Sequence, residues 1–210
     1  MQKISDFLIK IGALKNMKRK GWVLRGVKNP ESIADHTFRM TLAAWLLALE
    51  GRLNINRVIK IALIHDLCEV YAGDSTPYDH FLPKSAKDIK KLLASWPRLP
   101  KAKKQQLSLK KYYKEDAALN KLIASLPLNI RREIKSLWMD YERGLTKEGR
   151  FVRQIDRLEN LLQALEYWKR DRKFPINSWW VQIEELIDHP DLIKFMKSLA
   201  KEFPIKKPKK

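Results

Sequence analysis

The sequence feature that most constrains the fold is a stripe of apolar residues in the last third of the chain. The stripe repeats with a period close to 3.6 residues, which predicts one long core helix over about residues 147–171. A helix of this length must bury its stripe against neighbouring elements. Its members are Phe151, Val152, Ile155, Leu158, Leu161, Leu162, Leu165 and Trp168.

The rest of the composition favours an all-α protein. The 210 residues include only seven glycines and ten prolines, so long stretches carry neither helix breaker. A hydrophobic content of 45% is enough for one domain with a sizeable core. We therefore predict a single helical bundle of about 8–10 helices over residues 1–203, followed by a basic tail at 204–210.

Local patterns place the individual helices. Asn29 or Ser32 can cap a helix that runs to about Glu50, and Asn54 can cap the next helix, which continues to about Tyr71. The glycines at 21 and 26 bracket an extended or turning segment. Further helices are predicted over residues 3–16, 115–125, 128–143, 179–186 and 190–203, with another approaching Trp96 in a segment, 79–115, whose pattern is hard to read.

The chain carries 43 basic and 24 acidic residues, a net charge of +19. Such a charge attracts phosphates, so it fits nucleic-acid binding, steering of an anionic nucleotide, or simply a solvated lysine-rich surface. The segment 101–114 combines lysines with Tyr112 and Tyr113, which bases could stack on, although such helices more often pack their aromatics inward. We find no nucleic-acid-binding motif, so nucleic acid is possible but not favoured as a partner.

Cysteine usage and apolar run lengths bear on location. Cys68 is the only cysteine, so no intramolecular disulfide can form, which fits a reducing compartment. The longest apolar run, residues 41–49, is too short to span a bilayer, and no signal peptide is visible. We therefore expect a cytoplasmic protein with no membrane partner, in which Cys68 is a small core residue.

The stretch from Ile61 to Asp74 contains the adjacent pair His65-Asp66, followed by Glu69. Read as one helix, its polar residues share a face that is otherwise surrounded by apolar positions. A buried carboxylate needs a partner, and a divalent metal satisfies an imidazole and a carboxylate together. The alternative is a buried histidine beside a salt-bridged helix end.

Two more candidate ligands lie in other predicted helices. His36 falls in the first turns of the helix that starts near Ser32, where a lone histidine is usually structural. Asp156 lies at the margin of the long apolar stripe, where a carboxylate can enter a pocket between packed helices. Its alternative is a surface ion pair with Arg153 or Arg157.

The order of these residues resembles the H…HD…D metal site of the HD-domain phosphohydrolases. The flanking sequences are similar to the 5′-deoxynucleotidase branch of that superfamily, and the resemblance runs from about Lys18 to about Arg170. Four motifs in the right order carry it, namely Gly21-Trp-Val-Leu-Arg25, Pro30-Glu-Ser-Ile-Ala-Asp-His36, His65-Asp-Leu-Cys-Glu69 and Gly73-Asp74.

The resemblance implies a metal site and its surroundings. One divalent ion (Co, Mn, Zn, Fe or Mg) would polarise the phosphate and acidify a bound water. Glu69 is implied as general acid or base. Arg19 or Arg25, between which the sequence does not decide, would contact the phosphate. The implied metal ligands are His36, His65, Asp66 and Asp156. The implied substrate-binding residues are Asp74, Ser75, Thr76 and Arg25, and Asp74 is also implied as a catalytic residue that positions water, the sugar or the phosphate.

The resemblance also implies a reaction: a deoxyribonucleoside 5′-monophosphate is cleaved to the deoxynucleoside and inorganic phosphate. It further implies a homodimer, since dimers are frequent in the family. Spacing alone leaves other chemistry open, because the same site would serve a phosphodiesterase or a nucleoside triphosphohydrolase. A non-enzymatic, basic nucleic-acid-binding protein is the competing class.

Overall fold

A computed structural model of the chain describes residues 1–76, 79, 82–94 and 99–203. Eleven α-helical segments lie within these ranges, and two of them, α2 and α5, are single turns. The nine longer helices confirm the predicted all-α bundle. The segments are α1 (Gln2–Ile11), α2 (Lys20–Val23), α3 (Ile33–Ala48), α4 (Ile55–Ile64), α5 (Glu69–Ala72), α6 (Ala86–Ala94), α7 (Lys101–Ile123), α8 (Leu128–Arg143), α9 (Lys147–Arg170), α10 (Asn177–Leu186) and α11 (Pro190–Glu202).

Helix α9 is the centre of the bundle and packs against α3, α4, α8 and α10. It begins after Thr146, whose side chain accepts a hydrogen bond from the Gly149 backbone N–H at 3.1 Å. The stripe predicted for this helix is its buried face, with Val152, Ile155 and Leu158 fully shielded from solvent. The stripe therefore does what its period indicates: it forms the middle of the core.

Helices α3 and α4 begin where their capping residues predict. Of the two candidates for α3, Ser32 is the cap: its hydroxyl accepts from the Asp35 N–H at 3.1 Å, and the Asp35 carboxylate accepts from the Ser32 N–H at 2.8 Å. This reciprocal pair is a capping box. Asn54 caps α4 by accepting from the Arg57 N–H at 3.0 Å.

The prediction of one continuous helix from Asn54 to about Tyr71 is wrong. Helix α4 ends at Ile64, residues 65–68 form turns, and α5 restarts at Glu69. The Ala62 carbonyl, which a continued α-helix would pair with the Asp66 N–H, instead lies 2.8 Å from His65 Nδ1. The backbone then tightens to bonds three residues apart, such as Leu67 N–H to Ile64 C=O at 3.1 Å.

Other predictions need smaller corrections. The regions predicted as 101–114 and 115–125 form one helix, α7, whose N-terminal lysines are exposed and whose C-terminal half buries one face. Of the two alternatives for the segment between the glycines at 21 and 26, the turning one holds, since it contains the helical turn α2 followed by turn residues. Trp96 and the tail at 204–210 lie outside the described residues.

Helix α7 closes a second apolar cluster beside the main core. This cluster includes Leu119 and Leu122 of α7 and Trp138 of α8, together with Cys68 at 2% exposure. The position of Cys68 confirms that it is a small core residue. Among the helices of the described residues, none has both the length and the apolar character needed to cross a bilayer.

Candidate metal centre

Two buried imidazoles from different helices meet in the core. His36 of α3 and His65, which follows α4, are at most 1% exposed, and their Nε2 atoms are 3.3 Å apart. The Nδ1 of His65 lies 2.8 Å from the Ala62 carbonyl, and the Nδ1 of His36 contacts the Glu159 carboxylate. Carbonyl and carboxylate oxygens only accept hydrogen bonds, so both Nδ1 atoms carry hydrogen and both Nε2 atoms point into one centre.

Two carboxylates complete this centre. Asp66 Oδ2 lies 3.0 Å from His65 Nε2, and Asp156 Oδ1 lies 3.3 Å from His36 Nε2. Burial opposes ionisation of Asp66, but His65 and Arg19 hold its pKa well below the usual range. For Asp156, burial is likewise outweighed by Arg157 and His36, and its pKa is also lowered. All four predicted ligands therefore converge, and both acids are carboxylates.

The centre attracts positive charge. Burial and Arg19 lower the pKa of His36, yet Glu159 and Asp156 raise it to about 10. Two imidazoles with two carboxylates form the donor set that Zn²⁺, Co²⁺, Mn²⁺ or Fe²⁺ accepts. The hydrogen bond from each Nδ1 to an oxygen is the usual outer contact of a metal-binding histidine. The ligand atoms of His36, His65 and Asp156 lie within 4.8 Å of one another, so these residues fit a divalent ion.

The structure separates the two candidate arginines. Arg19, at the start of α2, donates from Nη1 to Asp66 Oδ2 at 3.1 Å and from Nη2 to Asn160 Oδ1 at 3.1 Å. The guanidinium of Arg25 instead donates to the Gly21 carbonyl at 3.0 Å and lies 4.7 Å from the Trp179 ring. Arg19 is thus brought to the centre, whereas Arg25 contacts Gly21 and Trp179.

Glu69 is the first residue of α5 and is only 3% exposed. Among the described residues, none forms a hydrogen bond to its Oε2 atom. Burial, followed by repulsion from Asp66 and Asp74, raises its pKa well above the usual value of 4.5. A carboxyl group whose pKa is raised in this way is suited to act as a general acid.

The predicted substrate-binding residues at 74–76 follow α5 and are tied to Lys20. Asp74 Oδ2 accepts from the Lys20 backbone N–H at 2.6 Å. Thr76 Oγ1 donates to Asp79 at 2.6 Å, and the same carboxylate pairs with Lys20 Nζ at 2.7 Å. Ser75 is partly exposed. Because Arg19 and Lys20 are adjacent, these contacts fix the segment beside the centre.

Several residues around the centre were not singled out from the sequence. Tyr141 of α8 donates to Asp156 Oδ2 at 2.9 Å, and Asn160 Nδ2 donates to the Asp156 carbonyl at 2.7 Å. Glu159 holds His36 from the opposite side of its ring. Glu159 and Asn160 lie three and four positions after Asp156, on the same helical face, so spacing alone could have found them.

The fold and the donor set define a class of helical metal-binding proteins, and the chain belongs to the HD domain family. The model of that family, described as an HD domain, matches residues 11–185. A curated relative from Mus musculus, named 5′-deoxynucleotidase HDDC2, is 32% identical over 197 residues, covering 93% of this chain and 86% of the relative.

Solved structures agree with this assignment. A conserved hypothetical protein from Pyrococcus furiosus has a TM-score of 0.68 and 25% identity, covering 93% of this chain and 98% of its own. A predicted metal-dependent phosphohydrolase from Magnetospirillum magnetotacticum has a TM-score of 0.64 and 25% identity, covering 96% and 93%.

Proposed function

We propose that this protein is a divalent-metal-dependent phosphohydrolase that removes the 5′-phosphate from deoxyribonucleoside 5′-monophosphates. The convergence of His36, His65, Asp66 and Asp156 beside the Arg19 guanidinium carries the proposal. Similarity along nearly the whole chain to the mouse relative named 5′-deoxynucleotidase supports the substrate class. The net charge of +19 favours the approach of an anionic nucleotide.

The four converging side chains would hold one divalent ion, of Co, Mn, Zn, Fe or Mg. When bound, such an ion polarises a phosphoryl oxygen and lowers the pKa of a coordinated water. The outer contacts of the two histidines, Glu159 on His36 and the Ala62 carbonyl on His65, keep both Nε2 atoms aimed at the ion.

The remaining roles belong to protein groups. Arg19 already donates to Asp66 and Asn160, and a guanidinium carries five N–H donors. It therefore has donors left for the equatorial oxygens, where charge develops during transfer. Glu69, whose pKa is raised by burial and by Asp66 and Asp74, would give a proton to the leaving 5′-oxygen. Asp74, with Ser75 and Thr76, would position the sugar or the phosphate.

Phosphate release from a panel of ribo- and deoxyribonucleoside 5′-monophosphates tests this function. The protein is stripped with a chelator and then reloaded with Co²⁺, Mn²⁺, Zn²⁺, Fe²⁺ or Mg²⁺. Release that requires metal and favours deoxy substrates is expected. Activity confined to tri- or cyclic nucleotides would reassign the substrate. The protein would not be an enzyme if it hydrolyses none of these nucleotides and instead binds nucleic acid without metal and with a steep salt dependence.

The same assay compares the two arginines. Arg19→Lys removes the forked donor geometry beside Asp66 while keeping the charge, so a marked fall in kcat/KM is expected. Arg25→Lys changes a side chain that contacts Gly21 and Trp179, so its effect on kcat/KM should be smaller. Equal losses in the two variants would remove the case for Arg19 as the phosphate ligand.

We also propose that the protein forms a homodimer through an exposed apolar stripe on α3. The stripe recurs at helical spacing on the outer face of the helix, and such patches mark interaction surfaces. Light scattering tests this: wild-type protein should run as a dimer and Leu46→Glu as a monomer. The members of the stripe are Phe38, Leu42, Trp45, Leu46 and Leu49.

A cytoplasmic location is proposed on chemical grounds. The single cysteine, Cys68, is buried and reduced in the fold, as suits a reducing compartment. Fractionation of cells that produce the tagged protein tests this location, and recovery in an oxidising compartment would contradict it.

A further inference from the structure

A second acidic group lies on the far side of the His36 ring. Ligand atoms of Glu31, His36 and Glu159 fall within 4.8 Å of one another, and all three residues are shielded from solvent or nearly so. The Glu159 side chain has no exposed surface and contacts His36 Nδ1. By composition alone this group could be a second metal site. Whether it is one depends on which positive charge balances its two carboxylates.

Arg39 supplies the positive charge that this group needs. It lies three residues after His36 on α3, and its Nε donates to Glu159 Oε1 at 2.9 Å. Its Nη2 lies 3.6 Å from Glu31 Oε2 and donates to Gln163 Oε1 at 2.6 Å. A guanidinium therefore stands among the oxygens that a second ion would require.

The two glutamates are also occupied by other donors. Glu31 Oε1 accepts from the indole N–H of Trp22 at 2.8 Å. Glu159 Oε1 accepts from Arg39, while Glu159 Oε2 faces His36. Each carboxylate thus divides its oxygens between fixed partners of this chain.

We infer that Arg39 and Glu159 act together as positioning residues for His36 and do not form a second metal site. Glu159 fixes the hydrogen on Nδ1 and the orientation of the ring, so that Nε2 faces the centre. Arg39 holds Glu159 in place and offsets a charge that would otherwise be buried without a partner. The inference rests on the proposed metal site and deepens it by predicting one ion per chain.

Metal affinity, measured by competition with a chromogenic chelator, tests the inference without any substrate. Co²⁺ and Zn²⁺ are titrated into the stripped wild-type protein and into Glu159→Gln, Arg39→Lys and Glu166→Gln. Glu159→Gln keeps the shape but weakens the acceptor, so affinity should fall by about 10- to 100-fold. Arg39→Lys keeps the charge without the fork, so a smaller loss is expected.

Glu166→Gln is the matched control. Glu166 contacts the same guanidinium, but its side chain is 46% exposed and its Arg39 contact is made through Nη1 rather than Nε. Its affinity should equal that of the wild type. Thermal unfolding in chelator shows whether each variant folds, and Arg39→Lys carries the test if Glu159→Gln does not.

The outcomes separate the two proposals. One ion per wild-type chain, together with weakened binding in Glu159→Gln and Arg39→Lys, supports the inference. Unchanged metal affinity in both variants would overturn the inference. So would two ions per wild-type chain, one of which Glu159→Gln loses. Either result leaves the proposed enzyme intact. A wild-type chain that binds no ion overturns the metal site and this inference together.

Discussion

Asp140 and Asp66 are both enclosed carboxylates, yet their surroundings differ in kind. Asp140, at 1% exposure, accepts from the Thr146 N–H at 2.8 Å, from Thr146 Oγ1 at 2.7 Å and from Arg57 Nε at 3.0 Å. Asp66 accepts from Arg19 at 3.1 Å but also faces the Nε2 atom of His65 at 3.0 Å.

The difference lies in the balance of donors and acceptors. Around Asp140 the chain supplies donors to both carboxylate oxygens, so the carboxylate joins α8, α4 and the start of α9 without outside help. Around Asp66 two carboxylates and two imidazole Nε2 atoms, which become acceptors or metal ligands once they carry no hydrogen, converge beside the Arg19 guanidinium. A buried acid with enough donors is structural, whereas a surplus of acceptors is where a protein binds a cation.

The largest expected effect comes from Asp66→Ala. Loss of a proposed metal ligand should remove several kcal/mol of transition-state stabilisation, so kcat/KM should fall on the order of 1,000-fold. Phosphate release in saturating metal measures this fall. In chelator, the melting temperature of Asp66→Ala should change less than that of Asp140→Ala. Near-wild-type activity of Asp66→Ala would show that Asp66 belongs with the structural acids.

Glu69→Gln is expected to lower kcat by about 10²- to 10⁴-fold, since the proposed proton donor is lost. The same substitution should raise the free energy of unfolding relative to the wild type, although it lowers kcat. The pKa of Glu69 is raised in the folded state, first by burial and then by Asp66 and Asp74. Its stabilising contribution is therefore complete below the unfolded pKa of 4.5 and is lost as pH rises through the folded value.

Urea unfolding of the metal-free proteins at a series of pH values checks this sign. Glutamine does not ionise, so the variant should gain stability over the wild type as pH increases above about 4.5. A constant difference across the series would mean that Glu69 ionises normally in the folded protein.

The smallest effect on activity is expected from Asp140→Ala. Its loss leaves Thr146 and Arg57 donors unpaired, which should cost about 3 kcal/mol of unfolding free energy, while kcat/KM below the melting range stays near wild type. Burial opposes ionisation of Asp140, but Thr146 and Arg57 lower its pKa. The wild-type advantage should therefore hold above the unfolded value of 3.8 and fade as pH falls.

Denaturant midpoints across that acid range measure the Asp140 contribution. A large loss of activity in Asp140→Ala at low temperature would break the comparison, because it would place this acid in the catalytic machinery.

Sequence reasoning predicted the elements that depend on local signals. The period of the α9 stripe and the caps at Ser32 and Asn54 are local, and they located helix α9 and the starts of α3 and α4. The break after Ile64 carries no such signal, because no glycine or proline lies between residues 61 and 72. It results from a side-chain contact, His65 Nδ1 with the Ala62 carbonyl, that competes with the helix.

The site shows the same division. Motif order proposed four ligands, and the structure brings them together, but the choice between Arg19 and Arg25 required tertiary structure. Both arginines lie near the same helical turn, and only the packing of α2 decides which guanidinium faces Asp66. Tyr141 was missed for the same reason, since it reaches Asp156 from a different helix.

The long separation between His36 and Glu159, 123 positions, sets the order in which a growing chain acquires this centre. The first three proposed ligands lie in the N-terminal part, but the fourth, Asp156, and the Glu159 contact to His36 are both supplied by α9 and are made last during synthesis. Until α9 has left the ribosome, a nascent chain holds two imidazoles and one carboxylate without their closing partners. Since metal binding and folding are coupled, the completed centre reports that translation has passed Glu159.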